Sequence, residues 1–106
     1  MIIYNVTSII EENIQQEYLE YMYNIHIPEV LSTGKFSDAK LFLLTEPQNE
    51  GITYCAQYFA KSKEDLVYYR EHYSPKLQAD IKQKFGNSLL SFRSVLELTQ
   101  ATIWNL

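Results

Sequence analysis

The stretch Ile52-Thr53-Tyr54-Cys55-Ala56-Gln57-Tyr58-Phe59-Ala60, followed after Lys61 by Ser62-Lys63-Glu64-Asp65-Leu66, decides the fold. Residues 52–60 are rich in β-branched and aromatic types and read as a strand. Ile52, Tyr54, Ala56 and Tyr58 lie on one face, Thr53, Cys55, Gln57 and Phe59 on the other. The period changes at Ser62. Ser62 and Asp65 have the spacing of a capping box, and Leu66, Tyr69, Tyr73, Leu77, Ile81 and Phe85 then recur at steps of three and four, the stripe of a helix. Pro75 interrupts that helix, with Ser74 placed to cap its second half. Gly86 ends it, and residues 89–98 read as another strand. A strand, a helix and a strand in this order form one βαβ unit.

Working outward, the first part of the chain repeats the pattern. Ile2, Tyr4 and Val6 alternate with Ile3, Asn5 and Thr7 in a strand over residues 2–9. A helix is expected over 11–26, with Ile14, Tyr18, Tyr21, Met22 and Ile25 on one stripe and Glu11 and Glu12 in its first turn, where the helix dipole favours negative charge. Pro28 should push Ile27 towards extended geometry and break or kink the helix near His26. A short extra turn over 28–33 then ends at Gly34. Residues 38–46 read as a strand, 47–51 as a turn, and the strands on either side as an antiparallel hairpin. The fold class is therefore α+β. The order βαββαβ predicts a ferredoxin-like domain, a four-stranded antiparallel sheet with two helices on one face. The whole chain, 1–106, forms one domain with a short tail at 99–106.

Composition narrows the function classes. The net charge of −4 without a basic run argues against nucleic acid. No apolar stretch reaches the length of a membrane span, and the N-terminus is not a signal peptide. Cys55 is the only cysteine, so no internal disulfide or cysteine metal cluster forms, and a reducing, cytoplasmic setting fits. The nine tyrosines exceed the five phenylalanines. Each needs a hydroxyl partner when buried, which favours a half-wet core, a cavity or an interface.

Helices on one face leave the other sheet face open. With Ile2, Tyr4 and Val6 on the helix side, Ile3, Asn5 and Thr7 point the other way, and we place Cys55, Gln57 and Phe59, and Ser91, Arg93 and Val95, with them. A face of this mixed kind favours a homodimer in which two sheets stack across a two-fold axis and enclose a barrel-like space. At this level the chain resembles the dimeric α/β-barrel superfamily. The order of elements, His26-Ile-Pro-Glu-Val-Leu31 and the corner Gly34-Lys-Phe36 carry the likeness. It looks closest to a family of uncharacterised bacterial domains that share Ile2-Ile-Tyr-Asn-Val6, Thr53-Tyr54 with Gln57-Tyr-Phe59, and Phe92-Arg93. The resemblance implies the fold and no activity. The wider superfamily includes monooxygenases, lactone isomerases, polyketide cyclases and haem-degrading enzymes, and fold does not choose among them.

Candidate chemistry is sparse. His26 and His72, the only histidines, are the candidate catalytic bases; the bland alternative is that His26 caps carbonyls ahead of Pro28 and His72 packs beside Tyr69. Arg93 stands mid-strand among apolar and small polar residues. It is expected to point into the space between two sheets, where it needs acceptors: either a small anionic ligand, with Asn5, Gln57 and Tyr69 as further ligand-binding residues, or an acidic residue of the partner. No metal pattern, phosphate loop or serine-nucleophile motif occurs, and no cofactor is expected. Two functions remain. One is a homodimeric module that binds a small ligand or a partner. The other is a cofactor-free enzyme of the monooxygenase, isomerase or haem-degrading type. The haem-degrading relatives imply an Asn on the first strand with a His and a Trp on the second helix. Asn5 and His72 match, but the only tryptophan, Trp104, lies in the tail.

Overall fold

The computed structural model describes residues 1–47 and 51–99. Strand β1 (Ile2–Ile10) leads through a 3-10 turn (Glu12–Ile14) into α1 (Gln15–Tyr21), a π-helical turn (Met22–His26) and α2 (Ile27–Ser32). Strands β2 (Phe36–Leu43) and β3 (Ile52–Ala60) follow. Then come α3 (Lys63–His72), α4 (Ser74–Phe85), a 3-10 turn (Gly86–Ser88) and β4 (Leu89–Glu97). The expected strand 52–60 forms as read. The second strand starts earlier than expected and ends at Leu43. Gly34, at φ +77, turns the chain and delivers Phe36 into the core against Tyr69 and Tyr58, with ring centroids 4.8 and 5.5 Å away. The tail beyond Thr99, with Trp104, lies outside the described residues, as does most of the expected turn 47–51.

The two prolines act differently. Ile27 is not extended, and the helix does not break: Ile27 sits at φ −61, ψ −45, and its N–H donates to the carbonyl of Met22, five residues back. Pro28 lacks an N–H and its ring crowds the preceding turn. Widening that turn to a π-helix accommodates the ring without ending the helix. Pro75 does separate two helices. The break falls at Tyr73 (φ −118, ψ −38), and Pro75 sits in the first turn of α4. Ser74 is not a cap there. It lies inside α4, and its Oγ accepts from Gln78 Nε2 at 2.7 Å. The cap expected at Ser62 is present, its Oγ accepting from the backbone N–H of Asp65 at 3.1 Å.

The sheet order is β2-β3-β1-β4, with every neighbouring pair antiparallel. Residues opposite one another share a face. Tyr4 pairs with Tyr58 and Val6 with Ala56, so Ile2, Tyr4, Tyr54, Ala56, Tyr58 and Ala60 form one buried face. Tyr18, Met22, Val30, Leu66, Tyr69, Leu77 and Phe85 from the helices complete the core upon it. On the other face run Asp38, Lys40 and Phe42, then Thr53, Cys55, Gln57 and Phe59, then Ile3, Asn5, Thr7 and Ile9. Among the described residues no helix is long and apolar enough to cross a membrane.

Strand β4 corrects the sequence reading. Arg93 pairs with Val6, Ser91 with Ser8 and Val95 with Tyr4. Ser91, Arg93 and Val95 therefore lie on the helix side, not the open side, and Arg93 does not point into a space between stacked sheets. Nor is the strand well buried: Phe92, Arg93, Val95 and Leu96 are all exposed. The reason is position. β4 is an edge strand near the limit of the helical layer, so its helix-side residues border a groove. Its more apolar set, Leu90, Phe92, Leu96 and, just past the strand, Leu98, faces the open side, with Phe92 53% exposed.

Candidate functional site

The helical layer and the sheet do not close completely. A cavity of about 30 Å³ lies between them, bordered by Tyr18, Met22 and His26 from the first helical run, Tyr58 and Tyr69, and Ser91 and Arg93 of β4. It adjoins an outer groove of about 370 Å³ between α4 and β4, walled by Gln78, Ala79, Ile81, Lys82, Gly86, Leu89, Leu90, Ser91 and Arg93. Gln78, Ile81, Leu89, Ser91 and Arg93 border both spaces. The inner cavity and the groove therefore adjoin, with Arg93 among the residues that separate them.

Polar side chains lead from the core to this border. Ser8 lies beside the Tyr18 hydroxyl, and its Oγ is 2.8 Å from that of Ser91. Ser74 lies beside the Tyr69 hydroxyl and accepts from Gln78. Burial pushes the Tyr18 hydroxyl up to about 12. It raises those of Tyr58 and Tyr69 as well, with Arg93 working against the rise at Tyr69. All three are neutral donors at ordinary pH.

His26 occupies the cavity wall because the π-turn rotates it inward, where it is 8% exposed and stacks on Tyr21 at 6.3 Å. Burial lowers its pKa from 6.5 to about 4, helped by the charge of Arg93 and opposed by Asp80. Its imidazole is therefore neutral at pH 7. Two buried atoms of the cavity residues have no hydrogen-bond partner among the described residues, His26 Nδ1 and the Tyr58 hydroxyl. Buried polar atoms of this kind call for an explanation.

The groove is electropositive in an acidic chain. It holds Arg93 and Lys82 and no carboxylate. The ion pairs among the described residues use Lys35, Lys40, Lys76 and Lys84, leaving both groove cations unpaired. Lys82 also stands in the last turn of α4, where a cation suits the helix dipole. No motif pointed to Lys82, Gln78 or Ser91, which meet only because α4 packs beside the sheet edge.

The structure divides the residues singled out from sequence. Arg93, Tyr69 and His26 border one cavity. Asn5 and Gln57 pair directly across β1 and β3, but on the opposite sheet face. Asn5 Nδ2 donates there to Thr7 Oγ1 and Ser94 Oγ at 3.0 and 3.2 Å, while its Oδ1 is buried without a partner. The arrangement of Asn5, Gln57 and Arg93 around one ligand is thus not formed, since a one-residue parity difference in β4 sends Arg93 the other way. His72 is exposed on α3. Its ring stacks on Tyr68 at 3.9 Å, and its Nδ1 donates to the Tyr68 carbonyl at 3.0 Å. Asn5 and His72 therefore do not face each other, and the pair expected of a haem-degrading relative is not assembled. Among the described residues no cluster of three or more His, Cys, Asp or Glu side chains could hold a metal ion.

Comparison with known proteins agrees with the fold. The chain belongs to the family described as a domain of unknown function, DUF4286, whose pattern matches residues 1–99. No curated protein matches it. A solved structure of an ethyl tert-butyl ether D (EthD) family protein from Bacillus halodurans C-125 superposes with a TM-score of 0.65 at 18% identity, over 92% of this chain and 100% of that one. A protein of Arabidopsis thaliana superposes with a TM-score of 0.70 at 14% identity, over 97% of this chain and 100% of that one. At these identities the likeness concerns the ferredoxin-like fold alone.

Proposed function

We propose that this DUF4286 chain is a binding module that holds a small anionic ligand in the groove between α4 and β4. The observation that carries this reading is the pair of cations Arg93 and Lys82, without an ion pair or an acid in the groove among the described residues, on a chain of net charge −4. Arg93 presents a fixed planar fork suited to a carboxylate. Ser91 and Gln78 supply neutral polar groups beside it, and Ala79, Ile81 and Leu89 supply apolar walls. This mixture is that of a small-molecule site. A base-catalysed enzyme is less well supported. A buried imidazole with a pKa near 4 is a weak base at neutral pH, and His72 stands outside the cavity.

The test is thermal stability in the presence of hexanoate, 2-oxohexanoate or inorganic phosphate. At 100 times its Kd a ligand stabilises by about 2.7 kcal/mol. We expect at least one of these anions to raise Tm for the wild type, and Arg93→Met to remove the rise while leaving the unliganded Tm close to normal. An equal rise in Arg93→Met, or no rise with any of the three, would sink the reading.

The same reading takes the molecule as a homodimer joined through its open sheet face, with Asn5 and Gln57 serving recognition between copies. What supports this is the apolar set Phe42, Leu90, Phe92, Leu96 and Leu98 exposed there, around a buried Asn5 Oδ1 that lacks a donor. Burying each large side chain would contribute about 1.5–3 kcal/mol. The protein should elute at about twice its monomer mass in size exclusion, and Phe92→Asp should return it to the monomer. A wild-type monomer at micromolar concentration is the result against it.

A further inference from the structure

We propose that the ligand is a carboxylic acid bearing an oxygen on the neighbouring carbon, a 2-oxo or 2-hydroxy acid, whose carboxylate meets Arg93 and whose second oxygen enters the inner cavity between His26 and Tyr58. The inference rests on the reading of the α4–β4 groove as an anion site, and specifies what that anion carries.

The two spaces differ in size and chemistry. The outer groove, about 370 Å³, accommodates the body of a small molecule. The inner cavity, about 30 Å³, is far below the roughly 150 Å³ that holds an aromatic ring, yet exceeds the ~10–15 Å³ needed for one water-sized group. A substituent of one heavy atom fits it and a ring does not. Two of the residues that line it, His26 and Tyr58, 8% and 2% exposed, carry buried polar atoms without partners among the described residues, the Nδ1 and the hydroxyl. A methyl group placed there would leave both atoms unsatisfied. A carbonyl oxygen accepts from the Tyr58 hydroxyl, and a hydroxyl group can both accept and donate. Arg93 borders both spaces, so a group bound to its guanidinium lies next to both of them. A carboxylate at that point with an oxygen on the adjacent carbon directs that oxygen towards the cavity, and its chain is left to the apolar walls formed by Ala79, Ile81 and Leu89.

Selectivity then follows from the unpaired groups. A site that hydrogen-bonds a substrate oxygen discriminates against the analogue lacking it, because that analogue leaves buried polar atoms unpaired. The experiment is isothermal titration of the full chain with hexanoate, 2-oxohexanoate and 2-hydroxyhexanoate at pH 7. At least one substituted acid should bind about tenfold or more tightly than hexanoate. Tyr58→Phe and His26→Phe should each reduce that ratio while retaining binding of hexanoate, and Arg93→Met should weaken all three acids together. If the three acids bind with equal affinity and all depend on Arg93, the inner cavity serves only water. The inference is then overturned while the anion site stands. If none binds, or binding does not need Arg93, both readings fall. A ratio that survives in both Tyr58→Phe and His26→Phe also overturns the inference, since the selectivity would then arise elsewhere.

Discussion

Tyr18→Ala is expected to destabilise the fold by about 3–5 kcal/mol, the cost of emptying an aromatic site in a packed core. Tyr18 is 1% exposed. Its ring lies 5.5 Å from that of Tyr54 on β3 and 6.1 Å from that of Phe85 at the end of α4, so one side chain joins α1 to the sheet and to the last helix. Its hydroxyl also lies beside Ser8, whose Oγ is 2.8 Å from that of Ser91. A domain of this size has only about 5–15 kcal/mol of stability in all, so the variant should approach the threshold of folding. Tyr18→Phe separates packing from hydrogen bonding. It keeps the ring and should cost only about 1 kcal/mol. Urea unfolding of the three proteins gives the comparison. If Tyr18→Phe costs as much as Tyr18→Ala, the hydroxyl chain rather than the ring holds this part of the core.

The second large effect is loss of stability in acid through His26. Its pKa is 6.5 when free and about 4 in the fold, lowered first by burial and then by Arg93. In the unfolded chain His26 therefore takes up a proton at higher pH than in the folded one. Its contribution is fully present above pH 6.5, declines as pH falls towards 4, and changes no further below that. The span corresponds to about 3 kcal/mol. His26→Phe retains an aromatic ring against Tyr21 and removes the titration. The difference in unfolding free energy between wild type and variant should shift by about that amount from pH 7 to pH 4. Parallel profiles across this window would show that His26 is solvated in the fold. An anion bound at Arg93 would offset part of the charge that opposes protonation, so bound carboxylate should soften the acid decline in the wild type.

Much of the architecture is legible in local patterns. The period-two run 52–60, the switch at Ser62 and the stripe from Leu66 to Phe85 identify β3 and the helices behind it without reference to any distant residue. Strand β1 sorts itself because Ile2 and Tyr4 are plainly more apolar than Asn5 and Thr7. The tyrosines read as core include Tyr18 and Tyr69, both buried. The turn before Pro28 was not legible. Proline chemistry states what must be relieved there, but either a break or a π-turn relieves it, and packing of α2 against the rest of the helical run selects the second.

The sequence by itself determined the order of elements, the apolar face of β1 and β3, and the identity of Arg93 and His26 as residues in need of explanation. Only the tertiary structure decided where those two side chains go. Strand β4 carries apolar residues at both parities, so alternation does not assign its faces, and a shift of one residue exchanges them. Pairing of Arg93 with Val6 across β1 settled the parity. It separated Arg93 from Asn5 and Gln57, and brought it to the cavity of His26, Tyr58 and Tyr69. The physical reason is that an edge strand is only partly covered by the helical layer. Its register is imposed by hydrogen bonding to β1, while its helix-side residues border a groove and its more apolar set is left exposed on the open side.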